Sequence, residues 1–256
     1  MPENDLELLI RASRAAAETS LGFVGGPLDV REKDDGQGPV TAADLAVNEV
    51  LEDILRSARP DYGWLSEESA EDPNRLTSEY CFIVDPIDGT RSFINGEKTW
   101  SHSMAVAKNG EVVAGAVIVP MRDQLYTASQ GAGAHLNGQV ISVANATSLQ
   151  GANILATKQN MEPDHWPQGI PTFKRHHRPS IAYRLCLVAE GRFDAMFTFR
   201  KSWEWDIAAG AIICAEAGAK VSDQSGQTLH FNSAEAHTDG IVAAPDQIWG
   251  EVTQRR

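Results

Sequence analysis

Leu6, Leu8, Leu9, Ile10, Ala12 and Ala16 recur at helical spacing, which predicts an amphipathic first helix ending before Gly22 and the Gly25-Gly26-Pro27 break. Residues 30–39 then read as a polar, glycine-containing loop. Thr41 has the form of an N-cap with Asp44 three residues on, opening a second helix through Val47, Val50, Leu51, Ile54 and Leu55 to Pro60. From Tyr62 the period changes to that of strands, over residues 62–65, 81–85, 103–107, 112–119 and 124–128, parted by turns such as Asn109-Gly110. This meander predicts a largely antiparallel sheet.

A second half starts near residue 150. Residues 153–157 read as a short strand, 158–179 as irregular, 180–190 as a helix stopped by Gly191, and 193–199 as an alternating strand. Asp206 opens a small-residue helix through Ala217 and Gly218, and strands near 219–222 and 240–244 lead to a short final helix. The pattern predicts an α/β protein of two layered halves, residues 1–149 and 150–256. No internal repeat or low-complexity segment interrupts it.

Charge narrows the partners. Against 22 basic residues stand 35 acidic ones, a formal net charge of −13, which disfavours nucleic acid or an anionic membrane as the main partner. An anionic substrate must be drawn in locally, by metal ions or clustered Arg and Lys. Cys81, Cys186 and Cys214 are isolated thiols in apolar surroundings, neither a zinc ribbon nor a disulfide framework, and fit a reducing cytoplasm. No signal-like leader and no membrane-spanning apolar run is read, so the expectation is a cytoplasmic enzyme; a homodimer is compatible.

The densest chemistry lies in Cys81-Phe82-Ile83-Val84-Asp85-Pro86-Ile87-Asp88-Gly89-Thr90, an apolar strand running into two carboxylates, a proline, a glycine and a hydroxyl. The carboxyl end of such a strand is where open α/β sheets place ligands. Pro86 stiffens the turn between Asp85 and Asp88, so that both hard oxygen donors aim at one point, which suits Mg²⁺. Gly89 and Thr90 precede a short helical turn whose amides can receive an anion. A lone segment of this kind is more often an ordinary turn, so the other ligands must be sought elsewhere. Glu67 and Glu68 follow a strand-like Trp64-Leu65, while Asp44 and Asp206 each sit in a first helical turn, where a carboxylate also serves the helix dipole alone.

Taken together, Thr41-Ala42-Ala43-Asp44, Trp64-Leu65-Ser66-Glu67-Glu68, Asp85-Pro86-Ile87-Asp88-Gly89-Thr90 and Trp205-Asp206-Ile207-Ala208-Ala209-Gly210 resemble, in order and rough spacing, the inositol monophosphatase family. The resemblance extends to Gly131-Ala132-Gly133-Ala134 with Asn137-Gly138. It implies a layered αβαβα sandwich of the inositol monophosphatase and fructose-1,6-bisphosphatase type, and a phosphoric monoester hydrolase using two Mg²⁺ ions, with a third allowed. It implies that Glu67, Asp85 and the carbonyl of Ile87 hold one ion, and Asp85, Asp88 and Asp206 the second. Gly89 and Thr90 would offer amides to the substrate phosphate, and Thr90 with Asp44 and Glu67 would make up the catalytic set. Lys33 matches a lysine of the family's mobile active-site loop.

The substrate is less plainly written. Seven residues before Asp206, where inositol monophosphatases carry a glutamate that holds the inositol ring, stands Phe199. The text around the shared motifs looks more like the CysQ-type 3′(2′),5′-bisphosphate nucleotidases, with Arg91 after the threonine and Arg184 in the segment headed by Ser180. A doubly phosphorylated nucleotide needs a second anion site, for which Arg178, Arg184, Arg200 and Lys201 are the candidates. His176 and His177 lack zinc-like spacing and read as a surface loop, and Trp203 and Trp205 read first as packing residues. The expected substrate is 3′-phosphoadenosine 5′-phosphate. Inositol monophosphate is the alternative within the enzyme class, and a regulatory, RNA- or protein-binding role the alternative outside it.

Overall fold

Each amphipathic element in the chain covers a sheet face, and the layering follows from that. The computed structural model describes residues 3–33 and 38–255. Helix α1 (Asp5–Leu21) opens on a reciprocal cap in which the Asn4 side chain accepts from the Glu7 amide and the Glu7 carboxylate accepts from the Asn4 amide, both at 2.9 Å. Helix α2 (Ala42–Ala58) opens on Thr41 as its sequence predicts, with Asp44 closing the second capping box. The apolar stripes of the two helices, Leu8, Leu9 and Ala12 with Val47, Leu51 and Leu55, pack on Phe82, Val84, Met104 and Val106, one face of a large sheet.

Because side chains alternate along a strand, Cys81, Ile83, Ala105 and Ala107 face the opposite way. They meet α4 (Ile181–Ala189) and α5 (Glu204–Glu216), which are apolar nearly all round because a second sheet covers their far side through Leu155, Met196 and Ala243. The remaining face of that sheet, with Ile154, Phe197, Val242 and Ala244, packs on Ile248 and Val252 of α6 (Asp246–Thr253). The architecture is an αβαβα sandwich.

The large sheet has seven strands in chain order, from Gly63–Ser66 through Tyr80–Asp88, Ser101–Lys108, Glu111–Val119 and Gln124–Ser129 to Ala134–Leu136 and Gln139–Ile141. All its neighbours are antiparallel except the first pair, and the last two strands were not announced by alternation. The parallel pairing of Gly63–Ser66 with Tyr80–Asp88 brings their carboxyl ends, and hence Glu67 and Asp85, to one edge of the molecule.

The smaller sheet runs in the order Lys174–His176, Asn153–Leu155, Ala195–Thr198, Ile241–Ala244, Lys220–Ser222, and it revises two expectations, while a separate short ladder revises a third. The stretch 158–179 contains an edge strand and two short 3₁₀ turns. The strand within 193–199 is buried on both faces, because α4 and α6 sandwich it, so its apparent alternation has no exposed side. The polar loop at 30–39 begins and ends in a two-residue ladder, Arg31–Glu32 with Pro39–Val40; residues 34–37 lie outside the described residues.

Glycine sets how closely α5 approaches its neighbours. A Cβ on Gly210 would lie 2.7 Å from Leu185 Cβ on α4, too close for either backbone to stand still. Gly210→Ala is therefore expected to lower unfolding stability by about 1–3 kcal/mol. Urea denaturation checks this; an unchanged midpoint would show that the helix pair gives way freely.

Candidate active site

The strand Tyr80–Asp88 is buried from Cys81 onwards and ends in a register shift between Asp85 and Asp88 against its partner strand. Proline has no N–H to give to a ladder, so pairing breaks at Pro86 and the bulge turns both aspartates towards the cleft. Asp85 is 1% exposed and its Oδ1 has no hydrogen-bond partner. Asp88 Oδ2 accepts from Ser180 Oγ at 2.6 Å and from the Ala182 amide at 2.7 Å, at the amino end of α4. Asp206 enters from the first turn of α5. One oxygen from each of Asp85, Asp88 and Asp206 lies within 4.8 Å of the others.

Three carboxylates so placed are short of positive charge. Burial first, then the charges of Glu67, Asp88 and Asp206, raise Asp85 well above the usual carboxylate range. Asp206 is raised likewise by burial and then by Asp88 and Glu67. Burial lifts Asp88 to about 6, although Ser180 and the amides of α4 pull the other way. Hard carboxylate oxygens converging at one point, with Asp85 Oδ1 left without a partner among the described residues, are the donor set of a divalent cation such as Mg²⁺, and the residues fit it.

The other residues singled out in the sequence divide into two groups. Glu67, Ile87, Gly89, Thr90 and Arg200 line the same cavity, about 340 Å³, as the three aspartates. Asp44 both caps α2 and reaches the cleft: its Oδ2 accepts from the Thr41 amide and hydroxyl, and its Oδ1 stands 3.2 Å from Thr90 Oγ1. Thr90 has one hydroxyl hydrogen for two acceptors, Asp44 and the Ile87 carbonyl at 3.1 Å. Gly89, at φ +97°, provides the left-handed turn that starts the short helix α3 (Thr90–Ile94).

Two residues stand elsewhere than a substrate-contacting role requires. Lys33 Nζ is paired with Glu67 at 2.6 Å and with Glu68 at 2.5 Å, so its charge is spent on carboxylates, one of them a candidate ligand. Ser180 is fully buried and its hydroxyl serves Asp88.

A second cavity, about 520 Å³, adjoins the first and is lined by Arg91, Arg184, Arg200, His177 and Thr157. Arg184 is 3% exposed; its Nε and Nη2 donate to the carbonyls of Arg178 and Pro179, and its Nη1 has no partner among the described residues. Burial lowers its pKa to about 10, which leaves it charged at neutral pH. Arg178 lines neither cavity and lies over the Phe193 ring. His176 and His177 bond to Asn153 and Arg184, and Phe199 is buried against Phe197. Trp203 and Trp205 stack on each other at 4.8 Å and also form a wall of the first cavity.

His102 escaped the sequence reading, because the strand was started one residue after it. It is buried opposite the bulge, where its Nδ1 donates to the Pro86 carbonyl that the broken ladder leaves without a strand partner, and Ser20 Oγ donates to its Nε2 at 2.8 Å. Its neighbour Ser103 donates to the Trp205 carbonyl at 3.0 Å, tying the start of α5 to the sheet one residue before Asp206. A polar Ser-His-Ser run entering an apolar strand is the signal that marks both.

The family model described as the inositol monophosphatase family matches residues 1–255. Among curated relatives, the Nus factor SuhB of Pseudomonas aeruginosa is 33% identical over 235 residues, 86% of each chain. The 3′(2′),5′-bisphosphate nucleotidase CysQ of Shigella flexneri is 29% identical, over 90% of this chain and 95% of the relative. The solved structure of the Thermotoga maritima IMPase TM1415 superposes with a TM-score of 0.84 at 28% identity, covering 97% of this chain and 95% of that one.

Two expectations follow from the buried charges. Raised carboxylate pKa values mean that the metal-free protein loses stability as pH rises through about 6, where Asp88 ionises, whereas a cation requires the ionised forms. The rise in melting temperature on adding Mg²⁺ should therefore be larger at pH 8 than at pH 5; an equal rise at both would separate the metal from these carboxylates. His102 has the opposite sign: burial lowers it from 6.5 to about 4, so the unfolded chain binds its proton first and stability falls as pH drops from about 6.5 towards 4. The difference corresponds to about 3 kcal/mol, and His102→Asn should flatten the acid limb of a urea-denaturation pH series by about that amount.

Proposed function

The chain belongs to the inositol monophosphatase family and is a metal-dependent phosphoric monoester hydrolase, and we propose that its substrate is 3′-phosphoadenosine 5′-phosphate, from which it removes the 3′-phosphate. The observation that carries this reading is the cavity beside the aspartate cluster, where Arg91, Arg184 and Arg200 gather in an otherwise acidic protein and Arg184 Nη1 and Thr157 Oγ1 are buried without partners among the described residues. A monoester with one phosphate leaves those groups unused; a second phosphate engages them. The CysQ relative, which carries the name of a bisphosphate nucleotidase, supports the same substrate.

In this reading Glu67, Asp85 and the Ile87 carbonyl would hold one Mg²⁺, and Asp85, Asp88 and Asp206 would hold another. When bound, the ions neutralise the phosphoryl oxygens, acidify a water and stabilise the leaving alkoxide. Gly89 and Thr90 seat the ester phosphate. The Thr90 hydroxyl orients the attacking water, and Asp44 Oδ1, whose carboxyl burial pushes above its ordinary range, accepts a proton through Thr90. Lys33 yields Glu67 to the cation and remains beside it as a counter-charge.

The likeness to the Thermotoga IMPase favours inositol monophosphate as a second reading, but Phe199 brings no carboxylate to an inositol ring and is packed into the core. The SuhB relatives, named as Nus factors, favour the regulatory alternative. Mg²⁺-dependent phosphate release separates the three. The nucleotide is expected to exceed inositol 1-phosphate in kcat/KM by about tenfold or more, the order of what one charge-assisted hydrogen bond to the second phosphate supplies. Asp88→Asn should lower kcat by about 10²-fold, and Arg184→Met should raise KM for the nucleotide by about tenfold. Comparable slow turnover of both esters sinks the nucleotide reading, and binding of RNA or protein without any phosphate release replaces it with the regulatory one.

A further inference from the structure

Adjoining the aspartate cavity, and sharing the stacked Trp203–Trp205 pair with it, lies a cavity of about 330 Å³ that none of the roles above uses. It shares Glu67, Trp203 and Trp205 with the cavity of the aspartate cluster, and its own walls are Trp64 and Arg75. Two nitrogen donors on these residues, Arg75 Nε and Trp205 Nε1, are buried without a partner among the described residues. A buried donor left unpaired costs about 1–3 kcal/mol, so two of them on residues of one cavity call for an acceptor.

Arg75 is not a loose surface cation. It is 1% exposed, and its Nη1 donates to Asn232 Oδ1 at 2.8 Å and to the Ser233 carbonyl at 2.9 Å. Asn232 returns a bond to the Arg75 carbonyl at 2.9 Å, and Glu204, at the start of α5, holds the amides of Asn232 and Ser233. The guanidinium is thus clamped by groups that leave Nε over. Trp64 spends its own N–H on Ser69 Oγ at 2.9 Å and has only its ring to offer. Trp203 is held face to face with Trp205, with 9° between the planes, yet is 40% exposed, which leaves a flat apolar surface open beside the aspartates.

Flat aromatic walls with preset N–H donors suit a flat ligand with acceptors on its edge. An anion does not suit the cavity, because Arg75, the one cation among the described residues of its lining, is outnumbered by Glu67, Glu71 and Glu235, whereas the arginine cavity brings three guanidinium groups together. We propose that this cavity is a base subsite for a nucleotide substrate: a purine lies against Trp203, and its ring nitrogens accept from Trp205 Nε1 and Arg75 Nε. The proposal rests on the nucleotide reading above and extends it, since the phosphates occupy the aspartate and arginine cavities and the base takes the third.

The test compares kcat/KM for 3′-phosphoadenosine 5′-phosphate and for inositol 1-phosphate in the wild type, in Trp205→Phe, which keeps a ring and removes the N–H, and in Trp203→Ala, at the exposed position. The preference for the nucleotide is expected to fall about tenfold in each variant. Quenching of tryptophan fluorescence by adenosine 5′-monophosphate should also weaken in Trp203→Ala. A wild-type preference that both variants retain overturns the subsite and leaves the nucleotide reading standing. If the wild type shows no preference for the nucleotide, the two fall together.

Discussion

The structure depends on holding Asp85, Asp88 and Asp206 with oxygens within 4.8 Å of one another in a buried cleft. At that distance each ionised pair repels by about 3 kcal/mol at an effective dielectric constant of about 20, and desolvation adds to it. No chain would collapse into this arrangement without compensation, and each aspartate is held by a different element. A proline bulge sets Asp85, the amino end of α4 holds Asp88, and the first turn of α5 presents Asp206. Helix amino termini carry partial positive charge, so two of the three carboxylates sit where the backbone itself offsets part of the repulsion. The remainder is charge for a cation to neutralise.

The middle layer of the sandwich makes this convergence rigid. Helices α4 and α5 are covered by sheet on both sides and meet at Gly210 against Leu185, so neither can retract from the cleft without opening the core. The bulge is braced from behind by His102 and, through Ser20, by α1 in the outer layer. The site is therefore built from three layers of the sandwich, though its ligands come from single strand and helix ends. Around it the polarity changes in an ordered way: carboxylates at the centre, arginines in one adjoining cavity, tryptophans in another.

Helices α1 and α2 were legible because they are half-buried: each shows a stripe of apolar residues, with one side on the core and one towards solvent. The central strands of the meander are buried on both faces, and it was their short apolar runs parted by turns that marked them. Where both sides are buried, as at Ala195–Thr198, the pattern carries no information about which face is which. Short edge strands such as Lys174–His176 are specified by pairing with a distant strand rather than by their own residues, and so read as irregular.

What the chain determined by itself about the site was its candidate chemistry: carboxylates, a glycine and a threonine hydroxyl at the end of an apolar strand, together with Glu67 and Asp206 elsewhere, are the group types that cations and a phosphate ester call for. Tertiary structure decided which residues face that place. Lys33 and Ser180 stand beside candidate ligand carboxylates, Arg184 is drawn into the interior, and His102 supports a carbonyl from the opposing strand. The physical reason is range. Residue type and local spacing fix what a segment can donate or accept, but the partner that consumes each donor comes from distant segments, as with Ser180 and Asp88, 92 residues apart, or Arg75 and Asn232, 157 apart, and that pairing exists only once the layers have closed.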